Sequence, residues 1–194
     1  ANSKEIGVIG KYAYRSHESI AEKTGGRYMI EIREATTQDE FDSVRALVYA
    51  FMDWASEVYP EAKKALEHNF KTIEAELASL PGVYGPPKGK LLVAYYDGEA
   101  AGTVAMQDLE NRICEMKRMF VHAKFRGKGI GRALAARLIN EAHALGYTRI
   151  RLDTGPKHIA AQELYRSLGF QQIPPYREVP NDVRATFVFM ELHL

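Results

Sequence analysis

The order of apolar periods along the 194-residue chain predicts a mixed α/β domain, with hairpins early and a strand–helix–strand crossover late. Three observations carry this. Alternating and helical spacings succeed one another in a β-α-α-β-β-β-α-β-α-β order. An Asp97-Gly98 dipeptide joins two apolar runs, as a tight hairpin turn does. The alternate glycines Gly127, Gly129 and Gly131 stand between a strand pattern and a helix pattern.

The regular pattern begins at Met29, where Ile30 and Ile32 alternate with Glu31 and Arg33 as in a half-buried strand. Residues 1–28 have no sustained period and read as an N-terminal extension or arm, with residues 29–194 as the domain. Met29 is also a candidate internal start, and Ile6, Val8, Ile9, Tyr12 and Tyr14 give an arm something to pack with. Thr36-Thr37-Gln38-Asp39 is a helix-capping signal, and Phe41, Val44, Leu47, Val48 and Phe51 follow at helical spacing. Pro60 opens a second helical stretch through Ala65, Phe70, Ile73 and Leu77, and the Pro81–Gly89 cluster ends it. Leu91–Tyr96 and Ala101–Met106 are the hairpin strands, and Ile113–Val121 is a third. Ile130, Leu134, Leu138 and Ala142 mark a helix closed by Gly146. A strand with Ile150 and Leu152, a helix with Ala161, Leu164, Tyr165 and Leu168, and a final alternating strand through Phe187 and Phe189 complete the chain.

Composition narrows the function classes. A 46 % hydrophobic and 10 % aromatic content excludes wholesale disorder. One cysteine, Cys114, excludes an intramolecular disulfide framework and a Cys-rich zinc site. No His/Asp/Glu grouping has metal-ligand spacing, so no metal is expected. No apolar run is long enough for a membrane helix, and the N-terminus has no signal-peptide core. These features point to a reducing, cytoplasmic compartment without membrane attachment. The net charge of +1 argues against nucleic acid. That balance hides a division: Lys117, Arg118, Lys124, Arg126, Lys128 and Arg132 fall within residues 117–132 with no acid among them, whereas residues 31–79 carry eleven acids against five bases.

The segment Arg126-Gly127-Lys128-Gly129-Ile130-Gly131-Arg132 suits a diphosphate. Alternate glycines permit close backbone approach, the helix start offers unpaired N–H groups and the positive dipole end, and three cations flank it. A bare G-x-G-x-G is equally a turn with solvated basic residues. It is neither a Walker loop, since no Gly-Lys-Ser or Gly-Lys-Thr follows, nor a dinucleotide fingerprint, since it stands late in the chain with the wrong third spacing.

Arg126-x-x-Gly129-x-Gly131, after a strand ending Met119-Phe120-Val121, resembles the acyl-CoA loop of the GNAT family of N-acetyltransferases. Ala161-x-x-x-Tyr165-x-x-x-Gly169-Phe170 is similar to a second segment of that family, in the family's order and separation. The resemblance follows residues 29–194 in element order and is specific over about 113–170. It implies a mostly antiparallel, twisted sheet of six to seven strands with about four helices, splayed at the acyl-CoA cleft. It implies acetyl-CoA as co-substrate and direct attack of an amine on the thioester, releasing CoA, with no covalent enzyme intermediate.

By the same resemblance, Met119, Phe120 and Val121 flank the pantetheine arm, and residues 127–132 (Gly127, Lys128, Gly129, Ile130, Gly131, Arg132), with Arg126, hold the diphosphate. Tyr165 falls on the family's general acid for the departing sulfur; an aromatic on the Ala161/Leu164/Leu168 core face is the structural alternative. Glu115, 11 residues before Arg126, has the spacing of the base glutamate of histone-acetylating members; a strand glutamate paired with Lys117 is its alternative. His158 stands where the family often has Asn, and an imidazole can donate a similar hydrogen bond to the cofactor.

The acidic wall of residues 31–79 favours a small or amino-acid-like primary amine as acceptor, with Trp54, Tyr84, Tyr176 and Arg177 as pocket candidates. A protein N-terminus or lysine, and a non-catalytic acyl-CoA-binding module, are the alternatives. Many relatives dimerise, so a homodimer is admitted by analogy.

Overall fold

Local signals of the sequence set the ends of the elements in the computed structural model, which describes residues 19–23, 26–60, 63–179 and 184–194. Strands β1 (Ser19–Lys23) and β2 (Gly26–Glu34) lead into helices α1 (Gln38–Val58) and α2 (Lys63–Ala78). Strands β3 (Lys90–Tyr96), β4 (Glu99–Asp108) and β5 (Ile113–Val121) follow. Helix α3 (Ile130–Ala144), β6 (Arg149–Thr154), α4 (Ile159–Ser167), β7 (Gln171–Gln172) and β8 (Val188–His193) complete the order. Ile6, Val8, Ile9, Tyr12 and Tyr14 lie outside the described residues.

Thr37 caps α1 reciprocally: its hydroxyl accepts the Glu40 amide at 3.3 Å, and the Glu40 carboxylate accepts the Thr37 amide at 3.0 Å. Asp97 and Gly98 both take positive φ, 50° and 83°, which is the turn geometry that lets a two-residue loop follow the twist of β3 and β4.

The strands form one sheet in the order β1-β2-β3-β4-β5-β6-β8-β7. Seven of them span residues 26–194, and β1 adds an antiparallel edge from upstream. Every pairing is antiparallel except β5 with β6. The sheet divides two cores. On one face α3 and α4 pack Leu134, Leu138 and Leu168 against Leu92, Val104, Met106, Cys114, Met116 and Leu152. On the other, α1 and α2 pack Val44, Leu47, Ile73 and Leu77 against Leu91, Val93, Ala105 and Phe120. Leu92, Val93 and Ala94 are 0 % exposed, as the central strand of a sheet covered on both faces must be. Each fully buried leucine contributes about 1.5–3 kcal/mol of apolar transfer. Among the described residues no helix is long and apolar enough to cross a membrane.

Two irregularities interrupt the pairing of β5 with its neighbours. On β5 the partners of Ala105 and Thr103 are Lys117 and Phe120, so one extra residue bulges there, and Arg118 takes φ +54°. Strand β6 pairs with β5 only at Ile113, Cys114 and Glu115, although β5 runs on to Val121 and β6 to Thr154. The strands therefore part beyond Glu115 and Arg151, leaving a slot through the sheet.

Candidate active site

The slot is walled on one side by the end of β5. The two flanking residues Met119 and Val121 pack toward the α3/α4 core, and Phe120 packs toward α1. The chain then makes a single 3-10 turn at Ala123–Phe125, and α3 starts directly beyond the glycines. Gly127 and Gly129 have φ +77° and +82°, and a Cβ at either would meet nothing within 4 Å, so backbone conformation, not crowding, requires glycine there. Gly129 is the N-cap of α3 and no side-chain hydrogen bond caps the helix start, where first-turn amides have no carbonyl partner within the helix. Ile130 is buried in the core and anchors that first turn, while a Cβ on Gly131 would lie 3.5 Å from Leu164 and from Met119.

The three cations of the loop are turned toward the protein. Arg126 donates from Nε to the Val121 carbonyl at 3.2 Å, with its guanidinium 5.0 Å from the Trp54 ring centre and 5.9 Å from that of Phe120. The Lys128 ammonium lies 4.6 Å from the Tyr96 ring centre, and Arg132 donates to the Ser167 hydroxyl at 2.7 Å. An uncapped helix start, glycines with open space before them and three long, flexible cationic side chains fit a diphosphate.

At the opposite wall, His158 is the N-cap residue of α4, just past the end of β6. Its Nδ1 lies 3.4 Å from both the Thr154 hydroxyl and the Gly155 amide. Its Nε2 is buried without a hydrogen-bond partner among the described residues. Burial, helped by the Arg126 charge, pushes the imidazole below its ordinary value, so it is neutral at pH 7. Trp54 stacks on it at 4.9 Å and Tyr59 approaches at 5.5 Å. The last two turns of α1 thus bridge the slot from Phe120 on β5 to His158 beyond β6.

Tyr165 and Glu115 lie on opposite faces of the sheet. Tyr165 belongs to the α3/α4 core, 5 % exposed and packed on Phe170 at 5.7 Å. Burial, reinforced by the Asp153 charge, raises its phenol above the ordinary value, so it holds its proton at neutral pH. Glu115 lies between Cys114 and Met116, which face the α3/α4 core, so its side chain faces the other way. The slot begins at Glu115 and is the opening between the two faces.

Glu115 is 4 % exposed and fully engaged. Oε1 accepts the Tyr176 hydroxyl at 2.5 Å, and Oε2 accepts the Gln107 amide at 2.7 Å, with the Lys117 ammonium at 3.5 Å. The Lys117 pairing that stood as the alternative reading is present, at the longest distance of the three contacts. Of the other pocket candidates, Tyr84 is 1 % exposed with its hydroxyl on Glu76 at 2.6 Å, making it a wall rather than a pocket residue. Arg177 pairs with Asp153 at 3.1 Å. Cys114 is 0 % exposed, and burial pushes its thiol up to about 12, which removes it as a nucleophile.

Sequence reasoning missed Gln107 and the pairing of Arg118 with Glu76. Gln107 was within reach, because the β4–β5 hairpin sets it directly opposite Glu115. The pairing of Arg118 with Glu76 depends on the bulge, for which residue spacing gives no signal.

The model of the acetyltransferase (GNAT) family matches residues 45–170. The chain belongs to that family. The acetyltransferase is 37 % identical over 122 residues to an uncharacterised N-acetyltransferase of Schizosaccharomyces pombe, covering 61 % of this chain and 75 % of that protein. It is 34 % identical over 125 residues to the N-acetylaspartate synthetase of Danio rerio, covering 63 % of this chain but only 44 % of the relative's length. Among solved structures, an acetyltransferase from Streptococcus agalactiae has the same fold, with a TM-score of 0.66 at 21 % identity over 85 % of this chain and 98 % of that one. A Thermoplasma acidophilum N-acetyltransferase crystallised with coenzyme A also shares the acetyltransferase's fold, with a TM-score of 0.64 at 15 % identity over 85 % of this chain and 99 % of that one. The mostly antiparallel, splayed sheet that the motifs imply is thus the observed fold, and the chain is an N-acetyltransferase by family.

Proposed function

We propose that the protein transfers the acetyl group of acetyl-CoA to the primary amine of a small, amino-acid-like acceptor. The observation that carries this reading is the slot between β5 and β6, with the uncapped start of α3 at one end and Glu115 and Tyr165 on its two faces. Arg126, Lys128, Arg132 and the amides of residues 127–132 bind the diphosphate, and the backbone of Met119, Phe120 and Val121 aligns the pantetheine arm. His158 offers its unpaired Nε2 to the cofactor. Bound acetyl-CoA supplies the thioester on which the amine acts.

The chain's own groups manage two protons. Glu115 is the base that receives a proton of the acceptor ammonium. Tyr165, kept as a phenol by burial, gives a proton to the departing sulfur. The acceptor enters from the α1/α2 face, where the acidic residues of the first two helices favour a cation. The acidic face favours L-lysine or spermidine, whereas the relatives named N-acetylaspartate synthetase put the anionic L-aspartate on the panel beside them.

Thiol release from acetyl-CoA, measured with L-aspartate, L-glutamate, L-lysine, spermidine and an unblocked hexapeptide, tests the reading. Release with one or more of the small amines is the expected result. Release with the peptide alone replaces the small acceptor by a protein end, and tight CoA binding with no release from any amine makes the domain a binding module.

A further inference from the structure

Glu115 is poorly placed to meet an acceptor. Its side chain is 5 % exposed, and each carboxylate oxygen already accepts a hydrogen bond, from Tyr176 on one side and Gln107 on the other. The group standing before it is Tyr176, carried by the connection between β7 and β8, 61 residues further along the chain. Tyr176 is half-buried, its ring edge-on to Phe189 at 5.2 Å and facing the Arg151 guanidinium at 5.3 Å. Those two contacts fix the ring, so the hydroxyl points at Glu115 for structural reasons. A phenol that donates its one proton keeps lone pairs on the same oxygen and still accepts a hydrogen bond. Burial, reinforced by the Glu115 charge, raises the Tyr176 phenol above its ordinary value, so the group present at neutral pH is the phenol.

We propose, on the reading that Glu115 is the base, that Tyr176 is the residue touching the acceptor ammonium and that it relays one proton to Glu115. As the ammonium proton moves to the Tyr176 oxygen, the phenolic proton moves to Oε1 of Glu115. One N–H and one O–H bond break, two O–H bonds form, and no electron is transferred. Tyr176 is regenerated as a phenol and the amine lone pair is freed. Glu115 returns its proton to solvent through the same phenol once product leaves. The charged groups facing this pair are Lys117 on β5, Arg151 and Asp153 on β6, and Arg177 on the loop itself. Both carboxylate oxygens of Glu115 act as acceptors, and Oε1, which already takes the Tyr176 hydroxyl, is the one that receives the relayed proton.

The test compares Tyr176→Phe, Glu115→Gln and the double variant, using whichever of the small amines the wild type turns over fastest, and methoxyamine, which is already neutral at the assay pH. Each single variant is expected to lower kcat for the ammonium acceptor about a hundredfold. The double variant should lose no more than either, because one proton path is cut once. The acetyl-CoA Kd should stay near wild type, which certifies the fold, and methoxyamine turnover should fall less than that of the ammonium acceptor, because no ammonium proton has to be removed before attack. Replacement of Tyr176 by 3-fluorotyrosine, a more acidic phenol of nearly the same shape, should shift the pH–rate profile, which a purely structural tyrosine would not do. Wild-type kcat in Tyr176→Phe beside a loss in Glu115→Gln means that Glu115 meets the amine directly and overturns the relay. Losses that multiply in the double variant overturn it too. Unchanged kcat in both singles removes Glu115 as base and the relay with it.

Discussion

Arg118 leaves β5 at φ +54° and closes two hydrogen bonds, of 2.7 and 2.8 Å, on the carboxylate of Glu76, 42 residues earlier on α2. The Tyr84 hydroxyl meets the same carboxylate at 2.6 Å. The β5 bulge is thereby tied to the second helix and to the turn after it, next to the residues that wall the slot. A left-handed backbone at a non-glycine residue costs about 1–2 kcal/mol, and the bidentate pair offsets it.

Removing Glu76 therefore destabilises the protein. The Arg118 and Glu76 side chains are 15 % and 20 % exposed, so the full penalty of an orphaned buried charge is partly relieved by solvent. Glu76→Ala is expected to lose about 2–3 kcal/mol. Burial works to raise the Glu76 carboxyl, but the hydrogen bonds and charge of Arg118, with the Tyr84 hydroxyl, together hold it below the ordinary 4.5. A depressed folded value stabilises above pH 4.5 and fades as the pH falls through it. Thermal melts should then show the gap between wild type and Glu76→Ala closing below that pH, and a constant gap would contradict the ion pair.

Tyr165→Phe keeps the ring that packs on Phe170 and loses only the hydroxyl. Turnover should fall by about a hundredfold or more while the acetyl-CoA Kd, measured calorimetrically, changes little. Equal losses in kcat and affinity would make Tyr165 a packing residue.

Gly129→Ala isolates backbone conformation at the loop proposed to hold the diphosphate. At φ +82° with open space around a Cβ, the substitution is unfavourable by about 1–2 kcal/mol through φ alone. A fall of the melting temperature by about 2–4 °C per kcal/mol is expected, together with a weakened acetyl-CoA Kd. Gly131→Ala, whose Cβ would meet Leu164 and Met119 at an ordinary 3.5 Å, should be close to neutral in stability. The same loss at both positions would show that crowding governs the loop.

Trp54 is the chain's one tryptophan, and the Arg126 guanidinium lies 5.0 Å from its ring centre. On the proposed function, a diphosphate at the start of α3 would compete for that cation. Adding acetyl-CoA should change the intrinsic emission in wild type and leave it unaltered in Arg126→Ala. A change of equal size in both would separate Trp54 from the cofactor's charge.

The sequence by itself determined every feature written in local spacing. The Thr37 cap, the Asp97-Gly98 turn, the helix starting at Ile130 and the order of elements from β2 onward, apart from the two-residue β7, depend on residues a few positions apart, whose backbone preferences act before any long-range contact forms. The loop cations were legible for the same reason. Tertiary structure alone decided which groups meet. Tyr176 reaches Glu115 across 61 residues, and Arg118 reaches Glu76 across 42. The bulge at Arg118 resets the side-chain alternation of β5, so spacing beyond it no longer tells which face a residue takes. Glu115 stands where β5 parts from β6, and Tyr165 packs into the helical core on the other face of the sheet. Period reports direction along a strand, whereas register and curvature across the sheet decide what lies opposite, and those are set by the packed whole.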